Sequence, residues 1–89
     1  MLEIRYTKQF LKELKLAGKR GKNVRKLELA MEMLASEKVL DRRYREHALV
    51  GQYRSRKECH IEPDWLLIYK IETGYIIFER TGTHADLFR

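Results

Sequence analysis

Three histidines are the side chains in this sequence best suited to chemistry: His47, His60 and His84. An imidazole can give or take a proton near neutral pH, because its unperturbed pKa is about 6.5. His60 and His84 flank a run of apolar residues that predicts the strands of a small sheet, and Asp64 lies at a turn within that run. Two imidazoles on one surface could divide the roles of acid and base, with an aspartate to orient one of them. We therefore expect a proton-transfer site at one edge of this sheet.

Alternation along the strand predicts where His60 points. In residues 58–62 the apolar Cys59 and Ile61 share one face, and Glu58 and His60 share the other. Because the apolar pair has to face the core, we expect His60 to face solvent. The same alternation argues against zinc, since Cys59 and His60 project to opposite faces and the chain has no C-x2-C or H-x3-H spacing. We predict no metal ligands and no cofactor.

The first half of the chain predicts a strand followed by two helices. Residues 2–6 alternate apolar and charged side chains, as a strand does, and Thr7 is a suitable N-cap for a helix. Apolar residues then recur at helical spacing to Gly18, and again over residues 22–36. The intervening glycines end the first helix, so an antiparallel helix hairpin is expected. Residues 37–46 predict a connection with a short helical turn.

The second half changes to the two-residue period of strands. Four strands are predicted, over residues 52–56, 58–62, 65–72 and 75–81. Their connectors suit tight antiparallel hairpins, because Pro63 fits the second position of a turn and Gly74 supplies a positive φ. The predicted fold is α+β, in the order β-α-α-β-β-β-β, with a two-helix hairpin on one face of a small twisted, mainly antiparallel sheet.

Two further features lie near the C-terminus. Thr83 and Asp86 have the spacing of a capping box, which favours one helical turn with His84 in it. Alternation does not decide which face of the last strand is the core. Arg80 therefore either offers its guanidinium to a phosphate on the open face or pairs with a nearby glutamate.

Length and composition bound the class of protein. The 89 residues suffice for one domain, and the apolar content of 44% with 36% charged residues is ordinary for a compact soluble protein. No apolar run approaches the length needed to span a bilayer, and the N-terminus has no signal-peptide pattern, so a cytoplasmic location is expected. The single cysteine, Cys59, cannot form an internal disulfide.

The positive charge is confined to the first half. Residues 1–45 contain thirteen Lys and Arg against six Asp and Glu, whereas residues 46–89 contain six against seven. Such asymmetry favours a polyanionic partner, either nucleic acid or an acidic protein segment, that docks on the first half. The alternative is a solvated lysine-rich helix face that serves only solubility.

Three segments together resemble the YafQ branch of the RelE superfamily, which are toxins of type II toxin-antitoxin modules that cut messenger RNA. The segments are HALVGQ from residue 47, ECHIEPDWLLIYK from residue 58 and FERTGTHADLF from residue 78. They are specific as a set, although no one of them is specific alone. The resemblance runs nearly from end to end, since chain length and predicted element order also fit. It implies one RelE-like toxin domain over residues 1–89 whose active surface is the open face of the sheet.

The resemblance implies catalytic roles for four residues. His84 matches a general acid that protonates the leaving group, and Asp64 matches a carboxylate needed for activity. His47 and His60 match histidines that bind or deprotonate the substrate, with the division between them left open. Cleavage without a metal would use the ribose 2′-OH as the nucleophile, so the protein has to accept that proton and give one to the departing 5′-oxygen.

The resemblance also implies substrate-binding residues. Arg80 matches a basic residue near the scissile phosphate, while Trp65 and Phe88 match aromatic residues that border the site. A base stacked on Phe88 would contribute about 1 to 3 kcal/mol, but Phe88 could equally be a C-terminal anchor packed on the core.

The partners implied by the resemblance are messenger RNA and an antitoxin whose C-terminal segment wraps the toxin. A basic helical hairpin would hold the toxin against ribosomal RNA if cleavage takes place on the ribosome, although some members of the superfamily cut free RNA. Two other functions were weighed. A ParE-like gyrase poison has no use for His60, Asp64 and His84 together, and a non-catalytic RNA-binding module would use only the basic helices and exposed aromatic residues.

Overall fold

A computed structural model describes residues 1–88 as helices packed on a five-stranded sheet. In chain order the elements are β1 (Glu3–Tyr6), α1 (Lys8–Lys19), α2 (Val24–Ala35), β2 (His47–Ala48), β3 (Lys57–Glu62), β4 (Trp65–Glu72), β5 (Tyr75–Gly82) and α3 (His84–Leu87), with 3₁₀ turns at Arg42–Tyr44 and Gly51–Tyr53. The strand order is β1-β5-β4-β3-β2. Only the pair β1 and β5 is parallel among the strands of the described residues. The predicted α+β fold and element order are confirmed.

Side-chain caps explain where the two long helices begin. The Thr7 hydroxyl accepts a hydrogen bond from the backbone N–H of Phe10 at 2.9 Å, as predicted for α1. The Asn23 side chain accepts from the N–H of Arg25 at the start of α2. Gly21 adopts a φ of +79° in the turn between the helices, a conformation that glycine takes without strain. The chain therefore reverses at this turn, and both helices return their apolar residues to the sheet.

The main core lies between these helices and the sheet. Phe10 of α1, Leu27 of α2, and Leu67 and Phe78 of the sheet are fully buried there. Cys59 is also buried in this layer, and the loss of solvent raises the pKa of its thiol to about 12. The thiol is therefore a small apolar core group rather than a nucleophile. None of the helices in residues 1–88 is long and apolar enough to cross a bilayer.

The strand predicted over residues 52–56 is wrong. Residues 51–53 instead form a 3₁₀ turn, and Gly51 and Ser55 adopt positive φ values that a strand cannot contain. The strand that pairs with β3 is β2, only His47–Ala48. A two-residue strand has no period of its own, so its position depends on the partner strand rather than on local sequence.

A register shift between Ile68 and Tyr69 settles the faces of β5. Ile76 and Phe78 lie on the core face. Beyond the shift, Arg80 is opposite Ile68, so its side chain starts on the face away from the helices. That face carries the histidines.

Candidate active site

Strand register brings the candidate residues to the face of the sheet opposite α1 and α2. His47 of β2 pairs with Glu58 of β3, and His60 pairs with Leu66 of β4. Paired residues project to the same face, so His47, Glu58 and His60 share one surface. The two-residue period of β3 therefore positions the site.

This face is partly covered, which corrects one expectation. A small apolar cluster forms where Leu87 of α3 packs on Leu66 and Ile68. His60 lies on the predicted face, but only 8% of its surface is exposed, and the adjacent Glu58 is 4% exposed. The expectation that His60 faces solvent was wrong, because alternation predicts a face and does not predict what covers it.

The three imidazoles form a row. The ring centroids of His47 and His60 are 6.2 Å apart, and those of His60 and His84 are 5.8 Å apart. Only the middle ring is buried: the side chains of His47 and His84 are 51% and 53% exposed. Two accessible imidazoles therefore flank a buried one, within reach of a single dinucleotide.

Asp64 holds His84. Its Oδ1 accepts the backbone N–H of His84 at 2.8 Å and lies 2.6 Å from His84 Nδ1. The backbone N–H, and after it the imidazole, lowers the pKa of the Asp64 carboxyl from its ordinary value. An ionised carboxylate only accepts hydrogen bonds, so Nδ1 carries a hydrogen and Nε2 of His84 is left for the substrate.

Glu58 joins the other two histidines. Its Oε2 lies 3.1 Å from His47 Nε2 and 3.4 Å from His60 Nε2. The opposite nitrogens, Nδ1, contact the carbonyl oxygens of Arg45 and Pro63 and therefore carry hydrogens. Nε2 of either ring can donate to Glu58 only if that ring carries a second proton, and it can accept from Glu58 only if the carboxyl is protonated, so each contact requires a proton between the two groups.

Glu58 was not among the residues predicted for the site. Alternation placed it beside His60, but an acidic residue in a strand is most often a solvated one, whereas Glu58 is buried. The useful signal was its position two residues before His60 on the same face.

The same three groups could hold a metal ion. One ligand atom from each of His47, Glu58 and His60 lies within 4.8 Å of the others. Local spacing in the sequence gave no sign of this set, because two paired strands, β2 and β3, bring it together. Anchoring of both Nδ1 atoms by backbone carbonyls is the arrangement that fixes metal-binding imidazoles.

Arg80 is engaged by a glutamate of α1. Its Nε and Nη2 donate to the carboxylate of Glu13, with a closest distance of 2.7 Å, and its Nη1 donates to the Tyr53 hydroxyl at 3.0 Å. The backbone N–H of Thr81 donates to Glu13 as well, where β1 has ended and no longer pairs with β5. Of the two alternatives left open, the structure has the pairing with a glutamate.

The two aromatic residues differ in accessibility. Trp65 is 1% exposed, and its indole N–H donates to the Thr81 hydroxyl at 3.0 Å inside the main core. The resemblance suggested that Trp65 borders the site, but it has no free ring face for a base. Phe88 is 43% exposed, with its ring 5.6 Å from that of Tyr53 and 6.4 Å from that of His84. It therefore borders the histidine row.

A stripe of lysines runs along α1. Four exposed residues are spaced by four, three and four positions, which places them on one side of the helix. They are Lys8, Lys12, Lys15 and Lys19. In the part of the chain that the structure describes, none of the four makes an ion pair, unlike Arg20, Lys22 and Lys26 at the helix junction. The stripe is therefore one unneutralised part of the basic first half.

Comparison with known proteins gives close matches over the whole chain. A sequence profile described as "Bacterial toxin of type II toxin-antitoxin system, YafQ" matches residues 2–89. The mRNA interferase toxin YafQ of Escherichia coli K12 is 44% identical over 87 residues, which cover 97% of this chain and 95% of that protein. A chain in the crystal structure of the E. coli DinJ-YafQ complex superposes with a TM-score of 0.93 at 42% identity, covering 100% of both chains. A metal-bound toxin from Helicobacter pylori superposes with a TM-score of 0.93 at 37% identity, covering 99% of this chain and 100% of that one.

Proposed function

Since this chain belongs to the YafQ family of bacterial toxins from type II toxin-antitoxin systems, we propose that it is an endoribonuclease that cuts messenger RNA. The observation that carries the proposal is the row of imidazoles with two carboxylates beside it: Glu58 between His47 and His60, and Asp64 at the His84 end. This arrangement can accept and donate protons on one surface without a metal.

Cleavage proceeds by attack of the ribose 2′-oxygen on the adjacent phosphorus. The 2′-OH proton passes to a base on the protein as the new P–O2′ bond forms. The P–O5′ bond breaks, and the departing 5′-oxygen takes a proton from an acid on the protein. The products are a 2′,3′-cyclic phosphate and a 5′-hydroxyl, so no water is consumed in this step. The base has gained a proton and the acid has lost one, and a proton transfer between them restores the starting state of the protein.

His84 is the general acid. Its Nε2 is accessible, and Asp64 bonded to Nδ1 stabilises the imidazolium that donates the proton. The backbone contact between the same carboxylate and the His84 N–H fixes the ring at the start of α3. The sequence predicted this pair of residues, and the geometry supports their roles.

His47 is the general base in this proposal, and the buried His60 lies next to it in the row. His47 is accessible whereas His60 is 8% exposed, so the former reaches a 2′-OH with the smaller movement, a turn of its Nε2 away from Glu58. Glu58 lies between the two rings and can share the proton that His47 accepts. The buried His60 and Glu58 therefore lie beside the proposed base, where they can take part in its proton transfer.

Substrate contacts are divided between the two sides of the row. Phe88 can stack on a base next to His84. Arg80 could reach a phosphate only by giving up part of its contact with Glu13, so its main effect is to hold Tyr53 near α3. The lysine stripe of α1 provides a track for phosphates of the messenger or of ribosomal RNA.

The protein partner is an antitoxin. The structure of the DinJ-YafQ complex describes such a partner for a toxin 42% identical to this chain. We infer that this chain likewise forms a complex with an antitoxin that keeps it inactive until it is released.

The metal-bound H. pylori toxin favours a second property of the site. A divalent transition metal on His47, Glu58 and His60 would occupy the Nε2 lone pairs and the carboxylate that accept protons in the proposed mechanism. Such a metal should therefore inhibit cleavage rather than assist it.

The test is to incubate the purified toxin with RNA, with and without ribosomes, in EDTA and then in added Zn²⁺. Cleavage in EDTA that is lost in His84→Ala, by about 10²-fold or more, and suppressed by Zn²⁺ supports the proposal. Cleavage that requires a metal would overturn the mechanism. RNA binding without cleavage in either setting would favour the non-catalytic binding module, and neither binding nor cleavage would favour a gyrase poison.

A further inference from the structure

The acid of the proposed reaction sits on an unusually short element. His84 begins α3, which has only four residues, His84–Leu87, and a single helical turn is not stable by itself. Its position therefore depends on contacts with the rest of the molecule. One contact is the buried side chain of Leu87, and another is Asp64.

A further contact comes from the first helix. Arg20, which caps the C-terminus of α1, places Nη1 2.8 Å from Oδ2 of Asp86. The same Oδ2 accepts the backbone N–H of Thr83 at 2.9 Å, and the Thr83 hydroxyl accepts the N–H of Asp86, which completes the predicted capping box. One carboxylate oxygen thus links the end of α1 to the first turn of α3.

We propose that Arg20 is a positioning residue for the reaction, acting through Asp86 to hold His84 in the row of imidazoles. Of the described contacts that fix α3, this is the one that extends from the basic helix pair to the histidine side of the sheet. Arg20 has no contact with the histidines, so its effect is indirect. The effect on the reaction rate rests on the proposed nuclease function, whereas the effect on the position of His84 does not.

The geometry restricts where Asp86 can be. A Cβ on Gly82 would lie 2.9 Å from Asp86 Oδ2 and 3.0 Å from Asp86 Cβ, so the carboxylate packs directly on the Gly82 backbone. The bond from Thr83 fixes the same oxygen from a second side. Arg20 provides the third contact, and its hydrogen bond, followed by that of the Thr83 N–H, lowers the pKa of the Asp86 carboxyl to about 2, so the carboxylate is ionised near neutral pH.

The kinetic experiment compares Arg20→Ala, Arg20→Lys, Asp86→Asn and the double variant Arg20→Ala/Asp86→Asn. The asparagine keeps an oxygen for the cap and removes only the charge. We expect each single loss to lower kcat about two- to fivefold, the range that an exposed ion pair can supply, with KM unchanged. The kcat of the double variant should be no lower than that of the slower single variant. Arg20→Lys should keep most of the wild-type kcat. Arg5→Ala, which removes an exposed ion pair with Glu3 on β1, is the matched control and should have wild-type constants.

Additive losses in the double variant, or a raised KM with unchanged kcat, would overturn the proposal, because Arg20 would then bind RNA directly. A second measurement is independent of activity. In a ¹⁵N spectrum the amide signal of His84 should move in Arg20→Ala and in Asp86→Asn and stay in place in Arg5→Ala. An unchanged His84 signal in both site variants would refute the positioning role even if the protein proved not to be a nuclease, whereas a shifted signal without any nuclease activity would contradict only the proposed function.

Discussion

At the scale of single residues, Glu58 determines how the histidines work together. It is buried on the histidine side of the sheet and contacts the Nε2 atoms of His47 and His60. A buried carboxylate is retained only if partners compensate for its lost hydration, and here the partners are the two imidazoles. In the proposed reaction, Glu58 and His60 would therefore assist His47 in accepting the proton.

Replacing Glu58 by glutamine should lower kcat about 10-fold or more while leaving the fold intact. The amide has the same shape but cannot share a proton with the two rings. Glu72→Gln is the matched control, because Glu72 forms a partly exposed ion pair with Lys70 at the remote end of β4. Equal rates for the two variants in single-turnover cleavage would remove Glu58 from the mechanism.

The Asp64 carboxyl should titrate below its ordinary pKa. Its folded-state pKa is lowered by the backbone N–H and then by the imidazole of His84. A lowered folded pKa means that the stabilising contact is fully present above the unfolded value, about 3.9, and is lost as pH falls through the folded value. An NMR titration of the Asp64 carboxyl carbon should show its main inflection below pH 3.9, and an inflection above pH 5 would contradict the contact.

Much of the site could be predicted from the sequence, and the missing part has a physical reason. His47, His60, Asp64 and His84 were named from residue type and motif. The burial of Glu58 and His60 depends on tertiary packing, which strand alternation does not encode. The burial of Trp65, whose indole N–H donates to Thr81, likewise depends on contacts distant in sequence.

At the scale of elements, α3 is the part most sensitive to small changes. It is one turn long, and it brings His84 to the row and Leu87 to the cluster beneath. The glycine that precedes it allows Asp86 to approach the backbone closely. Substitutions at Gly82 and at the start of α3 should lower the reaction rate more than they lower the stability of the fold.

Gly82→Ala should lower kcat several-fold with little change in Tm. The new methyl group would lie 2.9 Å from Asp86 Oδ2, so the capping carboxylate has to move. Gly18→Ala is the matched control, because its methyl group would meet only Val24 at 3.9 Å, and alanine within α1 should stabilise the protein by about 0.5 to 1 kcal/mol. A Gly82→Ala variant with wild-type kcat would show that the position of Asp86 does not matter for the reaction.

The long elements could be predicted because their signals are local. Thr7 and Asn23 cap the helices that the apolar spacing predicts, and β3, β4 and β5 follow their alternation almost to the residue. The short strand β2 could not be located, since its two residues gain their structure from pairing with β3. The register shift between β4 and β5 also had no local signal.

At the scale of the whole molecule, we expect binding and chemistry to use different surfaces. The lysine stripe of α1 lies on one side of the protein, where its four lysines form no ion pair within residues 1–88, and the histidines lie on the other face of the sheet. Phosphate contacts to the stripe would hold an RNA or a ribosome in place, while the histidine row does the chemistry. Affinity and catalysis should therefore respond to different substitutions.

Lys12→Gln/Lys15→Gln should weaken RNA or ribosome binding and leave kcat at saturation unchanged. Each lost phosphate contact reduces the slope of log affinity against log salt by about 0.7 for a single strand. The control Arg5→Gln/Lys38→Gln removes the same charge away from α1. Filter binding at several salt concentrations would measure the slopes, and identical slopes for both variants would contradict a role for the stripe.

The chemical ends of the RNA fragments test the central claim most directly. Wild-type protein in EDTA should produce fragments that end in a 2′,3′-cyclic phosphate and begin with a 5′-hydroxyl, and His84→Ala should produce almost none of them. Fragments with 5′-phosphates, or undiminished cleavage by the His84 variant, would contradict attack by the 2′-oxygen with His84 as the acid.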